Sequence, residues 1–489
     1  MKLNADTLTK LDPRIVVPSY DRSQLKPGIL HVGLGNFHRA HQAFYANQLL
    51  NAGGSLDWGI LGAGVMPTDA AMRADLEAQD WLYSVTKQGA GTEEVEVSGV
   101  MCGFLPVEEG HGPIIEAMQN PDVRIVSLTV TEGGYYVSAE TGGFNPEAPD
   151  IRADIASPDK PKTVFGAIVA GLKARRDAGQ VPFTVMSCDN LPHNGNVTRS
   201  AVVGVARGQD SALADWIDAN VAFPNAMVDR ITPATTSERA AGLAEEYGLE
   251  DARPVFCEPF LQWVLEDKFT AGRPAFEEVG VQIVEDVTPY EHMKIRMLNG
   301  GHAIIAYPSA LLGLTYAHEA MAHPLVSAFF DKVEREEIYN VVEAVPGATQ
   351  PEYHAALQER FANPAIRDTI ARLCFDGSNR QPKFIVPSVA ENLAQGRSVP
   401  GLALESALWC RYCFGEGEQH QEIPANDPSW DRLTGLAREA RDRPDAWLEM
   451  RDIYGDLVDK PDFRDAFAAA LESLWNKGCE ATLKAYLGL

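Results

Sequence analysis

The sequence predicts an α/β chain: a doubly wound, largely parallel sheet in the N-terminal part, then a second, mostly α-helical domain. Three observations predict it. Strand-like and helical runs alternate up to residue 286, the order a parallel sheet requires. A glycine turn, Gly33-Leu34-Gly35, follows the first of those strands. From Thr288 onward helical patterns dominate. The domains expected are residues 1–286 and 287–489, with 375–388 returning toward the cleft between them.

Length and composition permit two such domains. The chain has 489 residues, of which 45% are hydrophobic, enough for a sizeable core. Lys plus Arg is 42 against 68 Asp plus Glu, a net charge of −26. No basic surplus exists to neutralise phosphates, so neither nucleic acid nor an anionic membrane is an expected partner. Seven scattered cysteines, an odd and sparse set, fit a reducing cytoplasm. Cys410 and Cys413 form a lone C-x-x-C beside Trp409, expected to be packing rather than zinc or redox chemistry. The N-terminus, MKLNADTLTK, lacks the apolar core of a signal peptide. Met297 to His318 carries no charged residue, but Asn299, Gly300, Gly301, His302 and Pro308 interrupt it, so no membrane span is expected there. A monomer or small homo-oligomer in the cytoplasm is the expectation.

The elements follow in order. Ile29 to Val32 is an apolar strand, then comes GLGNFHRAH (Gly33 to His41) and a helical run ending at Gly53 and Gly54. Strand, glycine turn, helix is the Rossmann-type geometry that sets a pyrophosphate on a helix N-terminus. Gly33 would make the turn and Gly35 would let phosphates approach; position 38, where a third glycine is usual, is His. A purely structural turn would explain the same residues. Trp58 to Val65 reads as a second strand. Asp69 beyond it could grip an adenosine ribose, and would then repel a 2′-phosphate and favour NAD over NADP; capping a helix is its other reading. Val123 to Val130 and Pro182 to Ser187 are two more strands, ending in Thr131-Glu132-Gly133-Gly134 and Cys188-Asp189-Asn190. Between them Thr163 to Gly179 is an amphipathic helix. Asn225 to Pro233 and Val255 to Phe260 read as further sheet or cleft elements. In the second domain, helices are expected over Pro324–Val342, Tyr353–Phe361, Ala365–Leu373, Leu402–Phe414 and from Asp462 onward. Phe375 to Ser388 reads as an irregular segment bearing Arg380 and Lys383, with Arg372 just before it.

The stretch TPYEHMKIRMLNGGHAIIA (Thr288 to Ala306) opens that domain as a helix. Thr288 suits the N-cap, Pro289 the first turn and Glu291 a capping box. At about 100° per residue, Lys294, Glu291, His302 and Asn299 share one polar face. A core helix with a snorkelling lysine is one reading. A proton-transfer centre, with a desolvated Lys as base and an amide and a His holding an oxygen, is the other. Gly300 and Gly301 in mid-helix imply that something approaches the backbone closely.

GLGNFHRAH, TEGGYY, SCDNLPHNG, FPNAMVDRITP and K-x4-N-x2-H together resemble the polyol-specific long-chain dehydrogenases, over nearly the whole chain from residue 28. The resemblance implies NAD as cofactor, no catalytic metal, and oxidation of a secondary carbinol of a sugar alcohol to a ketose, with D-mannitol and D-fructose as the expected pair. It implies Lys294 as general base, Asn299 and Asn190 as oxyanion-stabilising amides, and His302 as the group positioning the substrate oxygen. Glu291 would pass the proton toward solvent. Asp229, Arg372 and Arg380 would contact substrate hydroxyls. Gly33, Leu34, Gly35, Asn36, Phe37, His38, Arg39, Asp69, Thr131 and Glu132 would surround the cofactor. The family also contains hexuronate reductases and D-arabinitol 4-dehydrogenase, which stay open as alternatives. A non-catalytic dinucleotide sensor would keep the glycine turn but have no use for Lys294 with Asn299 and His302.

Overall fold

Five short parallel strands form the scaffold of the first part of the computed structural model, which describes residues 1–138 and 142–489 and only the backbone of Glu132. The contacts divide the chain into two units, Met1–Thr288 and Pro289–Leu489.

In the first unit β1 (Ile29–Val32), β2 (Ile60–Ala63), a hairpin of β3 (Tyr83–Gly89) and β4 (Thr92–Ser98), β5 (Met101–Phe104), β6 (Ile125–Leu128) and β7 (Thr184–Ser187) follow in order. The main sheet has the order β5-β2-β1-β6-β7, and its pairs are all parallel. Alternate residues serve two cores: Ile29, Ile60 and Ile125 pack on one face, Leu30, Val126 and Val185 on the other. Such two-sided burial is what strands covered on both faces show. Helix Val164–Asp177 covers the second face. Thr163 caps it through Gly166 N–H, and Gly179 (φ +68°) follows its end.

The order in which strands are added reverses at β1, whose neighbours are β2 and β6. Ligand crevices form outside the carboxyl ends of strands at such a point. Two smaller sheets complete the unit: β9 (Val255–Cys257) beside the β3–β4 hairpin, and β8 (Ala226–Asp229), β10 (Gln262–Glu266) and β11 (Gln282–Val284) in the order β11-β10-β8. The hairpin was not expected from sequence. Its turn, with Gly91 at φ +86°, precedes a strongly charged run, TEEVEVS, which becomes a half-buried strand only beside β3, itself paired with β9.

The second unit is helical, and it corrects several expectations. The helix from Thr288 is not a continuous α-helix: Thr288–Met293 is α, Lys294–Asn299 is a π-turn and Gly300–Leu311 is α again. The Thr288 hydroxyl, expected to cap, donates to Asp286, which also accepts the Thr288 N–H at 2.9 Å. Phe375–Ser388 is not irregular; helices Gly377–Phe384 and Val386–Ala394 fill it, the first entered through Asp376 in the left-handed region. Ala365–Leu373 is helical only over Ile370–Cys374, because Thr369 accepts from Arg372 N–H as the cap and Arg367 (φ +54°) turns the chain before it. Pro324–Val342 likewise becomes an α-helix to Val333, a second π-turn over Glu334–Ile338 and a 3-10 turn. Cys410 and Cys413 are buried on helix Pro400–Cys413, where burial pushes both thiols well above their usual range. Among the described residues no helix is long and apolar enough to cross a membrane.

Candidate active site

The first unit presents polar groups at the strand ends that flank the reversal. Gly33 (φ +97°) is obligatory: a Cβ there would run into the Thr129 carbonyl oxygen beyond β6. Gly35 differs. A Cβ would meet nothing nearer than the Gly33 oxygen at 4.0 Å, so its outer side is open to a ligand. Helix α1 (Asn36–Ala40) starts there and α2 (Gln42–Asn51) continues after His41. First-turn N–H groups, left without intrahelical partners, are suited to phosphate oxygens.

Leu34, His38 and Arg39 have their side chains in the interior. The His38 ring stacks on His31 of β1, centroids 3.3 Å apart, which brings helix and strand close where a third glycine usually does so. Burial, with the positive charge of Arg39 nearby, pushes the His38 pKa well below its usual value. Arg39 lies over Tyr83 and donates to Asn36 Oδ1 at 2.7 Å. Phe37 stacks on His41 at 4.9 Å. A cavity of about 380 Å³ opens here, walled by Asn36, Arg39, Met72, Thr235 and Arg253 among others.

Asp69 stands at the start of α3 (Asp69–Glu77), in the loop after β2, and accepts the Met66 N–H at 2.9 Å. Thr131 follows β6 in a strained backbone conformation (φ +65°); the side chain of Glu132 lies outside the described residues. Asp189 ties the ends of β6 and β7 together. It accepts from Val130 N–H (2.9 Å), Thr131 N–H (3.0 Å) and the Tyr135 hydroxyl (2.6 Å). Asn190, next to it, is exposed at the end of β7, and Asp229 is buried at the end of β8. Asp189 was read from sequence only as part of a polar cluster; its clamp needs two strands more than 50 residues apart.

The second unit collects the other groups on and around the π-turn. Lys294 is 7% exposed and Glu291 4%; Asn299 and His302 are half-buried. π-turns occur mostly as single turns inside α-helices, often at functional sites. An i→i+5 turn rotates less per residue than the 100° assumed for a regular helix, so the face shared by Lys294, Asn299 and His302 is set by the irregularity. Helix Ile370–Cys374, bearing Arg372, packs on Gly300–Leu311, and helix Gly377–Phe384, bearing Arg380, packs on the π-turn. Arg372 pairs with buried Asp368, 2.5 Å from Nε. Arg380 Nη1 donates to the carbonyls of Arg372 (3.3 Å) and Leu373 (3.2 Å).

His302 stacks on Phe361 with centroids 4.3 Å apart, and its Nε2 has no hydrogen-bond partner among the described residues. Burial first, then the positive charges of Arg372, Arg360, Arg380 and Lys294, push its pKa well below the usual value. The imidazole is therefore neutral. Arg360 and Phe361 were read from the sequence only as part of a helix: no periodicity links them to His302, some 60 residues earlier. Gly301 meets the close approach its presence implies, since a Cβ there would lie 2.7 Å from the Phe330 ring and 3.3 Å from Phe361. Among the described residues no cluster of three His, Cys, Asp or Glu side chains is arranged to hold a metal.

The chain as a whole has relatives among known proteins. The family model described as the mannitol dehydrogenase Rossmann domain matches residues 27–278, and that for the mannitol dehydrogenase C-terminal domain matches residues 286–475. A mannitol 2-dehydrogenase of Cereibacter sphaeroides is 57% identical over 470 residues, 96% of this chain and 98% of its own length. The structure of Pseudomonas fluorescens mannitol 2-dehydrogenase in ternary complex with NAD and D-mannitol superimposes with a TM-score of 0.91 at 44% identity, covering 100% of both chains. A D-sorbitol dehydrogenase in substrate-free form also reaches a TM-score of 0.91, at 35% identity over 99% of this chain and 100% of that one. With both domains matched and the relatives aligned almost end to end, the chain belongs to the mannitol dehydrogenase family.

Proposed function

We propose that this chain oxidises D-mannitol to D-fructose with NAD, and catalyses the reverse reduction, with Lys294 as the general base. The observation that carries the reading is a buried lysine on a π-turn, beside Asn299 and a His302 kept neutral by burial and surrounding cations. The near end-to-end likeness to a mannitol 2-dehydrogenase at 57% identity, and to one solved with NAD and D-mannitol, supports the substrate and cofactor.

The open side of Gly35 and the packed turn at Gly33 fit a dinucleotide, and the residues from Gly33 to Asn36 would hold its pyrophosphate. Asp69 would take the ribose hydroxyls. NAD, when bound, accepts a hydride from the carbinol carbon. The protein's part is to remove the hydroxyl proton as that hydride departs. Neutral Lys294 Nζ takes it and becomes ammonium. The Asn299 amide, with Asn190 of the first unit assigned the same role, donates hydrogen bonds to the developing alkoxide; such a donor contributes about 3 kcal/mol. His302, uncharged, orients the substrate oxygen. Glu291, one turn before the base, passes the proton on toward solvent. Asp229, Arg372 and Arg380 bind the remaining hydroxyls. No metal takes part in this scheme. A reducing cytoplasm, and a monomer or small homo-oligomer, belong to the same proposal, supported by seven free cysteines.

A second reading rests on the cations around His302. Arg360, Arg372 and Arg380 would also suit a substrate carboxylate, as in reduction of fructuronate or tagaturonate. NADH formation with D-mannitol, D-arabinitol and D-sorbitol at pH 7 to 10, set against NADH consumption by D-fructose and D-fructuronate, separates the readings. Strong mannitol and fructose rates are expected, with oxidation rising through an alkaline pKa. Activity confined to fructuronate would overturn the mannitol assignment and make the arginines carboxylate ligands.

A further inference from the structure

Behind Gly301 the helix meets a carboxyl that the scheme above does not use. Glu334 opens the second π-turn, and that turn packs against the Lys294–Asn299 π-turn. The residue is fully buried, and neither carboxyl oxygen has a hydrogen-bond partner among the described residues. A Cβ built on Gly301 would lie 3.4 Å from Oε1, so the carboxyl borders the backbone between Asn299 and His302. The rings of Phe330 and Phe361 border it too, and Phe361 is the ring on which His302 stacks. One packet thus joins Glu334 to the catalytic face.

Buried polar groups are nearly always paired, and an exception calls for an explanation. An ionised carboxylate is strongly disfavoured in such surroundings. Burial alone pushes this carboxyl well above its usual range. The other titratable groups around the turn are already engaged. Tyr339 is hydrogen-bonded to His354 at 2.7 Å, Asp331 pairs with Arg335 at 2.8 Å, and Arg296 pairs with Glu391 at 2.5 Å.

We propose that Glu334 is kept as an uncharged carboxylic acid and serves as a positioning residue for the face that carries Lys294, Asn299 and His302. It shapes the floor under Gly301, and it adds no negative charge to the surroundings in which Lys294 and His302 stay unprotonated. A negative charge at that place would stabilise the lysine ammonium and weaken the base. The inference rests on the reading of Lys294 as general base.

The test uses the full-length enzyme with Glu334→Gln and Glu334→Leu. An infrared difference spectrum between wild type and E334Q at pH 7 should contain a protonated-carboxyl C=O band; a carboxylate band in its place would overturn the proposal. E334Q should lower kcat for mannitol oxidation by about threefold and leave the acidic limb of the kcat/KM profile where it is, because no charge is removed. A limb displaced downward by about half a pH unit or more would mean that wild-type Glu334 is ionised. E334L should lower kcat by about tenfold or more with the KM for NAD unchanged; wild-type kcat in E334L would reduce the residue to packing. Should E334L fail to accumulate, the isosteric E334Q decides through the band and the profile. Failure of the lysine reading shows separately, as near wild-type turnover in Lys294→Ala, and leaves the infrared result standing.

Discussion

The two units place reactive groups by opposite means. In Met1–Thr288 the polar groups stand at the ends of strands: Thr131 after β6, Asn190 after β7, Asp229 at the end of β8 and Asp69 after β2. In Pro289–Leu489 they stand inside a helix, around an irregular turn that neighbouring helices hold in place. A strand end offers freedom at no cost to the sheet ladder. A π-turn forgoes regular hydrogen bonding, so it persists only where packing stabilises it. The helical unit should therefore respond more sharply to small changes, and the sheet unit should tolerate side-chain changes but not backbone ones.

The largest effect that sharpens this contrast is expected at Lys294. Lys294→Ala should lower kcat by about 10²- to 10⁴-fold, the usual worth of a positioned base, while NAD affinity measured by fluorescence titration stays near wild type. Retained turnover would remove the lysine from the mechanism. Asn299→Ala and Asn190→Ala should each cost about 10²- to 10³-fold in kcat in steady-state assays. A large loss in only one of them would assign the oxyanion contact to that amide alone.

The two key glycines test the backbone side of the comparison. Gly33→Ala meets a carbonyl oxygen at a positive φ, and neither can yield easily. It should abolish NAD binding and destabilise the protein by more than about 1 kcal/mol. Gly301→Ala meets ring atoms instead, which can shift at a cost of about 1–3 kcal/mol. Its expected signature is a modest fall in Tm with a disproportionate fall in kcat. Equal behaviour of the two variants would break the contrast.

Alkaline pH should weaken the helical unit. Glu405 is fully buried, accepts from Gln381 Nε2 at 2.6 Å on the helix bearing Arg380, and is pushed by burial up to about 8. A raised carboxyl pKa in the folded state means that its contribution is whole below about pH 4.5 and is lost as the pH rises through about 8. Tm should fall across that window, and Glu405→Gln should flatten the decline. The smallest effect is expected at Asp69: its replacement by Ala should relax the preference for NAD over NADP by about tenfold, about 1.4 kcal/mol. Unchanged discrimination would leave Asp69 as the partner of Met66 N–H alone.

Much of the first unit was legible because its signals are local. A strand shows its period of two, and a turn glycine shows where φ must be positive. Ile29–Val32, the Gly33 turn and the helix after Thr163 needed no distant contact to be read. The hairpin at residues 83–98 was missed because its charged strand looks like a surface loop until β9 pairs with its partner. In the second unit the residue types were legible, but their arrangement was not. An α-helical wheel assumes a constant rotation, and no local signal announces an i→i+5 turn.

By itself the sequence determined that Lys294, Asn299 and His302 share one segment, that glycines follow β1 and occupy positions 300 and 301, and that an α/β half precedes a helical one. Tertiary structure alone decided that the segment carries a π-turn, that burial and then Arg372, Arg360 and Arg380 push the His302 pKa down, and that Glu334 is buried under Gly301. Local geometry depends on neighbours within one turn or one strand, which a sequence records directly. Protonation and helix irregularity depend on charges and packing brought from residues 33 to 78 positions away, and only the folded chain brings these together.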